Sequence, residues 1–185
     1  LNMGTKYVIK DKTFQLEGYQ SAFKPGKFGT CKIDVIVDQA TIDALEGERE
    51  SLIEYKISKQ TDPTKWVVAR NTKWSDVSKD KYKISFSWKP EDRPPFVDTE
   101  GTLITEEIPL YSGSKVKIAF DHYPYPDNVR KEMNTTCKLT KLQVISCSSG
   151  AGVDDGDADF GTTEGFKIGA PNVTPTADVD ANDDF

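Results

Sequence analysis

Alternation of apolar and polar residues with a period of two predicts several β-strands, each with one buried face. It is clearest over residues 81–88, where four apolar side chains share one face and lysines and serines share the other. Residues 115–121 repeat the pattern, with Lys115 and Lys117 on the polar side. Residues 30–38 are rich in β-branched side chains and also predict a strand.

Two further segments complete the predicted sheet. Residues 96–98 and 103–108 flank a Thr-Glu-Gly turn and predict a hairpin. Residues 137–147 predict a last strand, and the change of apolar parity between Leu139 and Leu142 predicts a bulge within it.

A three- and four-residue spacing of apolar side chains predicts one helix over residues 41–57, begun by Asp38 or Thr41. About five strands and one inserted helix indicate an all-β fold, and a five-stranded OB-type barrel fits the count. We expect this domain to occupy residues 1–152. A small-residue hinge at 148–152 then leads to residues 153–185, whose composition predicts a flexible, disordered tail.

The charge is distributed unevenly between these two parts. The chain carries a net charge of −6. Residues 153–185 hold nine carboxylates and one lysine, a net charge of −8, so residues 1–152 carry +2. Within that body, residues 1–32 and 65–93 are each +4, whereas 33–64 carry −5. Such asymmetry is typical of a basic binding face joined to an acidic interaction tail.

The sequence has few of the residues and motifs that familiar catalytic and cofactor sites require. His122 is the only histidine, no phosphate-binding Gly-Lys-Ser/Thr loop occurs, and the three cysteines have no zinc spacing. Residues 155–166 begin like a calcium loop but lack its glycine and its final glutamate. We therefore expect no enzyme, no cofactor and no bound metal. We also expect no signal peptide and no membrane span.

Aromatic side chains alternate with basic ones at several places outside the predicted strands. Single-stranded nucleic acid needs this combination, because cations follow the phosphates while rings stack on bases. A carbohydrate-binding module could show the same aromatics, but it would not need the lysines and arginines. A core role stays open for both tryptophans. The candidates for DNA contact are Lys27, Phe28, Lys32, Trp66, Arg70, Lys73, Trp74, Lys115 and Tyr125.

Three motifs, in order, resemble those of the single-stranded DNA-binding proteins of short-tailed bacteriophages of the T-seven type. Residues 27–34 (KFGTCKID) resemble the family's basic-Gly-x-x-Lys-Val-Asp stretch, although Phe28 stands directly before the glycine. Residues 108–117 resemble its Pro-x-x-Gly-Gly-Ser-Lys-Leu-Lys stretch, and residues 123–125 its Val-Pro-Tyr. A small-residue hinge, an acidic tail and a terminal Asp-Phe follow in the same order.

The resemblance implies an OB barrel that binds single-stranded DNA without sequence preference during phage DNA replication, recombination and repair. It also implies a homodimer in the cytoplasm of the infected bacterial host. The acidic tail would compete with DNA and would dock the phage DNA polymerase and helicase-primase through Asp183, Asp184 and Phe185. The alternatives are a structural or carbohydrate-binding virion module with a β-sandwich body and, less well supported by the residues, an enzyme.

Overall fold

The regular structure of residues 4–148, the part that the computed structural model describes, is one curled sheet with a helix against it. The helix, α1, spans Gln39–Ser58, and short 3-10 helices lie at Pro63–Lys65 and Pro90–Asp92. The strands are β1 (Thr5–Val8), β2 (Phe14–Leu16), β3 (Cys31–Asp38), β4 (Val67–Val68), β5 (Trp74–Ser78), β6 (Lys81–Trp88), β7 (Phe96–Val97), β8 (Lys115–Asp127) and β9 (Glu132–Ser146).

Helix α1 begins where the sequence predicted. The Asp38 carboxylate accepts hydrogen bonds from the backbone N–H and the hydroxyl of Thr41, at 3.0 and 2.6 Å, and so caps the first turn. The buried side of the helix carries apolar residues at three-, seven- and eight-residue spacing: Ile42, Leu45, Leu52 and Ile53. Their burial, at about 1.5–3 kcal/mol per side chain, holds the helix on the sheet.

The sheet is arranged around β8 and β9, which pair antiparallel along their whole length. The path of neighbouring strands runs β4-β9-β8-β2-β3-β6-β5. Strand β1 joins the same edge of β8 as β2, and β7 joins the same edge of β9 as β4. Strands β4 and β7 run parallel to β9, and the other pairs are antiparallel.

The inward-facing side chains of this curled sheet form the core. Ile33 and Val35 of β3 lie opposite Phe86 and Ile84 of β6, and all four are fully buried. Alternate residues of β8 join them from across the sheet, and Phe120 contacts Phe86 at a ring distance of 5.5 Å. The predicted all-β fold with one inserted helix is confirmed.

Several details differ from the sequence prediction. Strand β8 runs to Asp127, through two prolines. Strand β1 begins at Thr5, opposite His122, and no strand among residues 4–148 pairs with that edge of β8 where the prolines lie, so the missing N–H groups interrupt no described ladder there. The predicted bulge in β9 is confirmed. The neighbouring β8 residues Ala119 and Phe120 pair with Lys141 and Leu139, so Thr140 is an extra residue in β9. The predicted strand at 103–108 is wrong: beyond the bridge from Leu103 to Val97, that segment is a loop.

No helix among residues 4–148 is long and apolar enough to cross a membrane. The predicted domain end at residue 152 and the tail at 153–185 lie outside the described residues.

A buried polar cluster joins α1 to the sheet. His122 is fully buried on β8; its Nδ1 contacts the Glu48 carboxylate of α1, and its Nε2 lies 2.7 Å from the Thr135 hydroxyl of β9. The ring of Tyr7 of β1 stacks on the Phe120 ring at 5.0 Å, and burial, together with the nearby Glu48 carboxylate, raises the pKa of the Tyr7 hydroxyl. Four elements therefore meet at this cluster.

The cluster makes folding sensitive to mild acid. Burial lowers the pKa of His122 below its ordinary value, against the smaller raising effect of Glu48. Below about pH 6.5 the unfolded chain therefore binds a proton that the folded chain excludes, and stability falls by up to about 1.4 kcal/mol per pH unit. The loss continues until the pH reaches the lowered pKa of the folded state.

We expect His122→Gln to be less stable than the wild type at neutral pH but to lose less stability on acidification. Urea unfolding at several pH values between about 7.5 and 5.5 measures this slope directly. Thr136→Gln on the same strand pair is a control that leaves the histidine in place. Equal slopes for wild type and His122→Gln would contradict the assignment.

Candidate nucleic-acid interface

The outward side of β8 alternates with its buried side and carries charged and aromatic residues. Lys115 and Lys117 stand at its beginning, and Tyr123 and Tyr125 near its end. The ten residue steps from Lys115 to Tyr125 span about 33 Å of extended strand. The sequence prediction included Lys115 and Tyr125, and the same parity of two could have identified Lys117 and Tyr123.

Cross-strand neighbours add further lysines to the same outward surface. Strand pairing aligns Lys6, Asp121 and Lys138 in one row, and Val8, Ala119 and Lys141 in the next. Lys10 follows Ile9, whose N–H donates to the Ile118 carbonyl, and so lies beside Lys117. We call this surface the lysine face; its lysines are Lys6, Lys10, Lys115, Lys117, Lys138 and Lys141.

The positive charge of the lysine face is not neutralised within the described part of the chain. None of its six lysines lies within 4.0 Å of a carboxylate oxygen of residues 4–148. Asp121 is the one acidic residue in the rows that define the face. Five of the lysines are exposed and Lys117 is half-buried. The lysine face therefore has unpaired positive charge that an extended anion could neutralise.

The loop at 23–30 presents Phe28 to solvent, with 84% of its surface exposed. The Lys27 ammonium lies over one face of its ring, 5.2 Å from the centroid. The loop closes on itself through Gly26, whose N–H donates to the Thr30 carbonyl and whose carbonyl accepts from Gly29. Gly29 has φ +81°, a left-handed conformation that favours glycine.

A buried aromatic group anchors that loop. The Phe23 ring meets Phe96 edge-on at 5.5 Å, and Phe96 meets Trp88 edge-on at 5.9 Å. The Arg93 guanidinium lies 4.7 Å from the Phe23 ring centroid and 5.3 Å from that of Phe96. The exposed Phe28 is thus carried on a loop with a rigid base.

Lys32 lies on the outward side of β3 with much of its charge already partnered. Its Nζ is 3.6 Å from the buried Asp34 carboxylate, and Lys83 of β6 lies 4.0 Å from the same oxygen. The bridge between Lys32 and Ser21 places Tyr19, which is 83% exposed, near Lys32. Sequence reasoning missed Tyr19, because nothing in its flanking residues distinguishes an exposed loop tyrosine from a core one.

The rows of the sheet connect Lys32 with the lysine face. Lys115 is opposite Gln15 of β2, and Gln15 is opposite Ile36 of β3. Ile36 and Lys32 have the same parity and so point to the same side. Two strand spacings and four residues separate Lys115 from Lys32, about 10 Å across the sheet and about 13 Å along it. The structure therefore places both lysines on one surface.

The two predicted stacking tryptophans are buried, which favours the core role that the sequence left open. Trp74 is 5% exposed; its ring meets His122 at 5.8 Å, and its Nε1–H donates to Glu46 of α1. Trp66 is 9% exposed and packs with Ile53 and Met133. Neither ring offers a free face to a base, and their basic sequence neighbours gave no sign of this.

Arg70 and Lys73 are exposed and lie near the far end of the lysine face. Asn134, opposite Tyr125 in the pairing of β8 with β9, donates from its side-chain amide to the Asn71 carbonyl. The segment that carries Arg70 is thereby held beside the beginning of β9. Asp183, Asp184 and Phe185, the predicted docking end, lie outside the described residues.

Reactive or metal-binding groups do not gather at this surface. Burial raises the pKa of the Cys137 and Cys147 thiols to about 12, so both stay protonated and weakly nucleophilic. Residues 4–148 contain no group of three or more His, Cys, Asp or Glu residues that could hold a metal ion. The arrangement supports binding of an anionic chain.

No protein-family model and no curated protein sequence matches this chain. Its fold matches the crystal structure of gp2.5, a single-stranded DNA-binding protein encoded by bacteriophage T7, with a TM-score of 0.63 and 14% identity. That match covers 92% of this chain and 100% of the other. The single-stranded DNA-binding protein of bacteriophage Enc34 matches with a TM-score of 0.54 and 17% identity, covering 85% and 89%.

A structure of the Enc34 protein in complex with single-stranded DNA also matches, with a TM-score of 0.52 and 18% identity over 76% of this chain and 85% of the other. The chain therefore has the OB-type fold of these phage proteins, as the sequence predicted.

Because Phe28 is exposed and Trp74 is buried, we expect their substitution to have opposite effects on DNA affinity and on stability. Phe28→Ala should weaken binding of a labelled oligo-dT by about tenfold, because a stacking ring is worth roughly 1–3 kcal/mol. Its stability should change by less than about 0.5 kcal/mol. Trp74→Phe should cost about 1–3 kcal/mol of stability and leave DNA affinity unchanged.

Fluorescence anisotropy and urea unfolding of the same two variants provide the comparison. If Trp74→Phe lost DNA affinity without losing stability, the core role of Trp74 would be contradicted and a role in DNA contact supported.

Proposed function

We propose that this protein binds single-stranded DNA without sequence preference in phage DNA replication, recombination and repair, and that it is not an enzyme. The observation that carries the proposal is the lysine face, with six lysines lacking carboxylate partners among residues 4–148 and with Tyr123 and Tyr125 at one end. Cations for phosphates and rings for bases are what a single strand requires.

The fold neighbours support the same nucleic acid. Both phage proteins are described as single-stranded DNA-binding proteins, and one was solved with single-stranded DNA. A carbohydrate-binding virion module would account for exposed aromatic side chains, but it would leave the unpaired lysines without a role.

The proposed path of the strand runs along the lysine face and reaches the 23–30 loop across the sheet. Lys115 and Lys117 would bind phosphates in its centre, and Phe28 and Tyr125 would stack on bases. Flanking contacts would come from Lys27, Lys32, Arg70 and Lys73. We leave Trp66 and Trp74 out of this surface because both are buried.

Salt dependence tests the phosphate contacts. Each phosphate neutralised on a single strand contributes about −0.7 to the slope of log affinity against log salt. The double variant Lys115→Ala/Lys117→Ala should therefore have a slope shallower by about 1.4 and should bind more weakly at low salt. Oligo-dT titrations at three or more salt concentrations measure this slope.

The matched control is Lys56→Ala/Lys59→Ala, which removes a lysine in the last turn of α1 and the lysine at its C-cap, neither of which belongs to the lysine face. Its slope should equal that of the wild type. Duplex DNA of the same length should bind more weakly throughout. An unchanged slope in the Lys115/Lys117 variant would remove the lysine face from the proposal.

We assign the acidic segment 153–185 two roles. Its net charge of −8, joined to a body of +2, makes it an intramolecular competitor for DNA, at an effective concentration on the order of millimolar. Asp183, Asp184 and Phe185 would dock the phage DNA polymerase and helicase-primase, since an aromatic anchor often dominates such contacts. The proposed state is a homodimer in the cytoplasm of the infected host.

Two changes separate these roles. Removing residues 153–185 should tighten oligo-dT binding, most at low salt, because the competing charge is lost. Removing Phe185 alone should leave DNA affinity nearly unchanged and reduce polymerase or helicase-primase binding in pull-down and titration assays. Weaker DNA binding after removal of the segment, or intact partner binding without Phe185, would refute this division.

A further inference from the structure

A depression of about 240 Å³ opens in the middle of the lysine face. Ala119 of β8 forms part of its floor, Val8 of β1 and Val97 of β7 line its sides, and Gly101 lies at its margin. Most of these groups are apolar, which is unusual on a surface otherwise covered by lysines.

The register of the sheet explains why the depression exists. Ala119 stands in a cross-strand row between Val8 and Lys141, so the shortest side chain of the row occupies its centre. The register shift next to Ala119 interrupts the regular row spacing at this point. On the margin, a Cβ added at Gly101 would meet nothing within 4 Å, so the site is open on that side.

Charge surrounds this apolar floor. Lys10, Lys117 and Lys141 all line the depression, and none has a carboxylate within 4.0 Å among residues 4–148. Val8 is 53% exposed, so its apolar surface is available to a ligand. A fitting ligand therefore combines a compact, largely apolar group with negative charges on either side of it.

One nucleotide step of a single strand has that chemistry, because each base is flanked by two phosphates. We propose that the depression accepts one base of the bound strand while Lys10, Lys117 and Lys141 hold its neighbouring phosphates. The inference rests on the proposed function and adds a base-binding contact that uses aliphatic rather than aromatic side chains.

This contact would distinguish single strands from duplexes. Phosphates are present in both, so lysines alone bind both, whereas a base can enter the depression only when it is unpaired. Among residues 4–148, Gln143 is the one uncharged polar side chain that lines the site, and its amide nitrogen already donates to the Asp98 carbonyl. The site therefore offers little hydrogen-bond discrimination among bases, in keeping with binding that is independent of sequence.

Filling the depression tests the inference without touching a lysine. Ala119→Leu should weaken binding of oligo-dT by about tenfold, the value of roughly one base contact. It should leave binding of an abasic phosphodiester chain of equal length within about twofold of the wild-type value, because the phosphate contacts remain. Both probes are titrated into the full-length chain by fluorescence anisotropy.

Two further variants complete the experiment. Ala119→Val fills less of the space with a side chain that suits a strand, and should give a smaller loss on oligo-dT alone. Ala44→Leu, an exposed helix position outside the depression, should change neither affinity. Thermal unfolding of each variant verifies that the fold is retained.

Equal losses on oligo-dT and on the abasic chain would overturn the inference, as would no loss on either. Tighter oligo-dT binding by Ala119→Leu would also overturn it, by indicating that the acidic segment 153–185 occupies the depression. A different result would contradict the proposed function: the wild-type protein would bind both probes with an affinity that does not change with salt concentration.

Discussion

The period-two alternation of β8 is the constraint on which most of the molecule depends. Its inward residues, among them Val116, Ile118 and Phe120, complete the core. Its outward residues include Lys115 and Lys117 of the lysine face. The strand holds β9 on one edge and both β1 and β2 on the other. A shift of one residue in its register would bury lysines and expose the core side chains, so folding and the binding surface are specified together.

The same alternation accounts for what could be predicted from sequence. Long strands and helix α1 have enough periodic positions to be recognised, and Asp38 marks the start of the helix correctly. Strands β2 and β4 have three and two residues, too few for a period to be visible. Their positions follow from partners distant in the chain, as β4 shows by pairing with the start of β9.

Individual site residues were harder to predict than the fold, because exposure is a tertiary property. Trp74 and Phe28 both stand beside lysines in the sequence, yet one is 5% exposed and the other 84%. The difference arises from parity and partners: Trp74 lies opposite the inward Ile84 on β6, whereas Phe28 sits in a loop. The lysine face likewise draws on residues near both ends of the described chain, and only strand pairing brings Lys6 and Lys138 together.

The net charge of the chain does not predict the lysine face. A count of lysines in one segment does not show which of them are already paired with a carboxylate. The chain as a whole is acidic, with a sequence pI near 4.9, although the six lysines of the lysine face gather on one side of the sheet. Lys32 and Lys83 share the buried Asp34 carboxylate, which also accepts a hydrogen bond from Ser85. In the proposed complex with DNA, a phosphate at β3 would compete with that internal carboxylate, whereas a phosphate at Lys115 would meet no such competitor among the described residues. In the proposed complex, most of the binding energy would therefore come from β8 and β9 and less from β3.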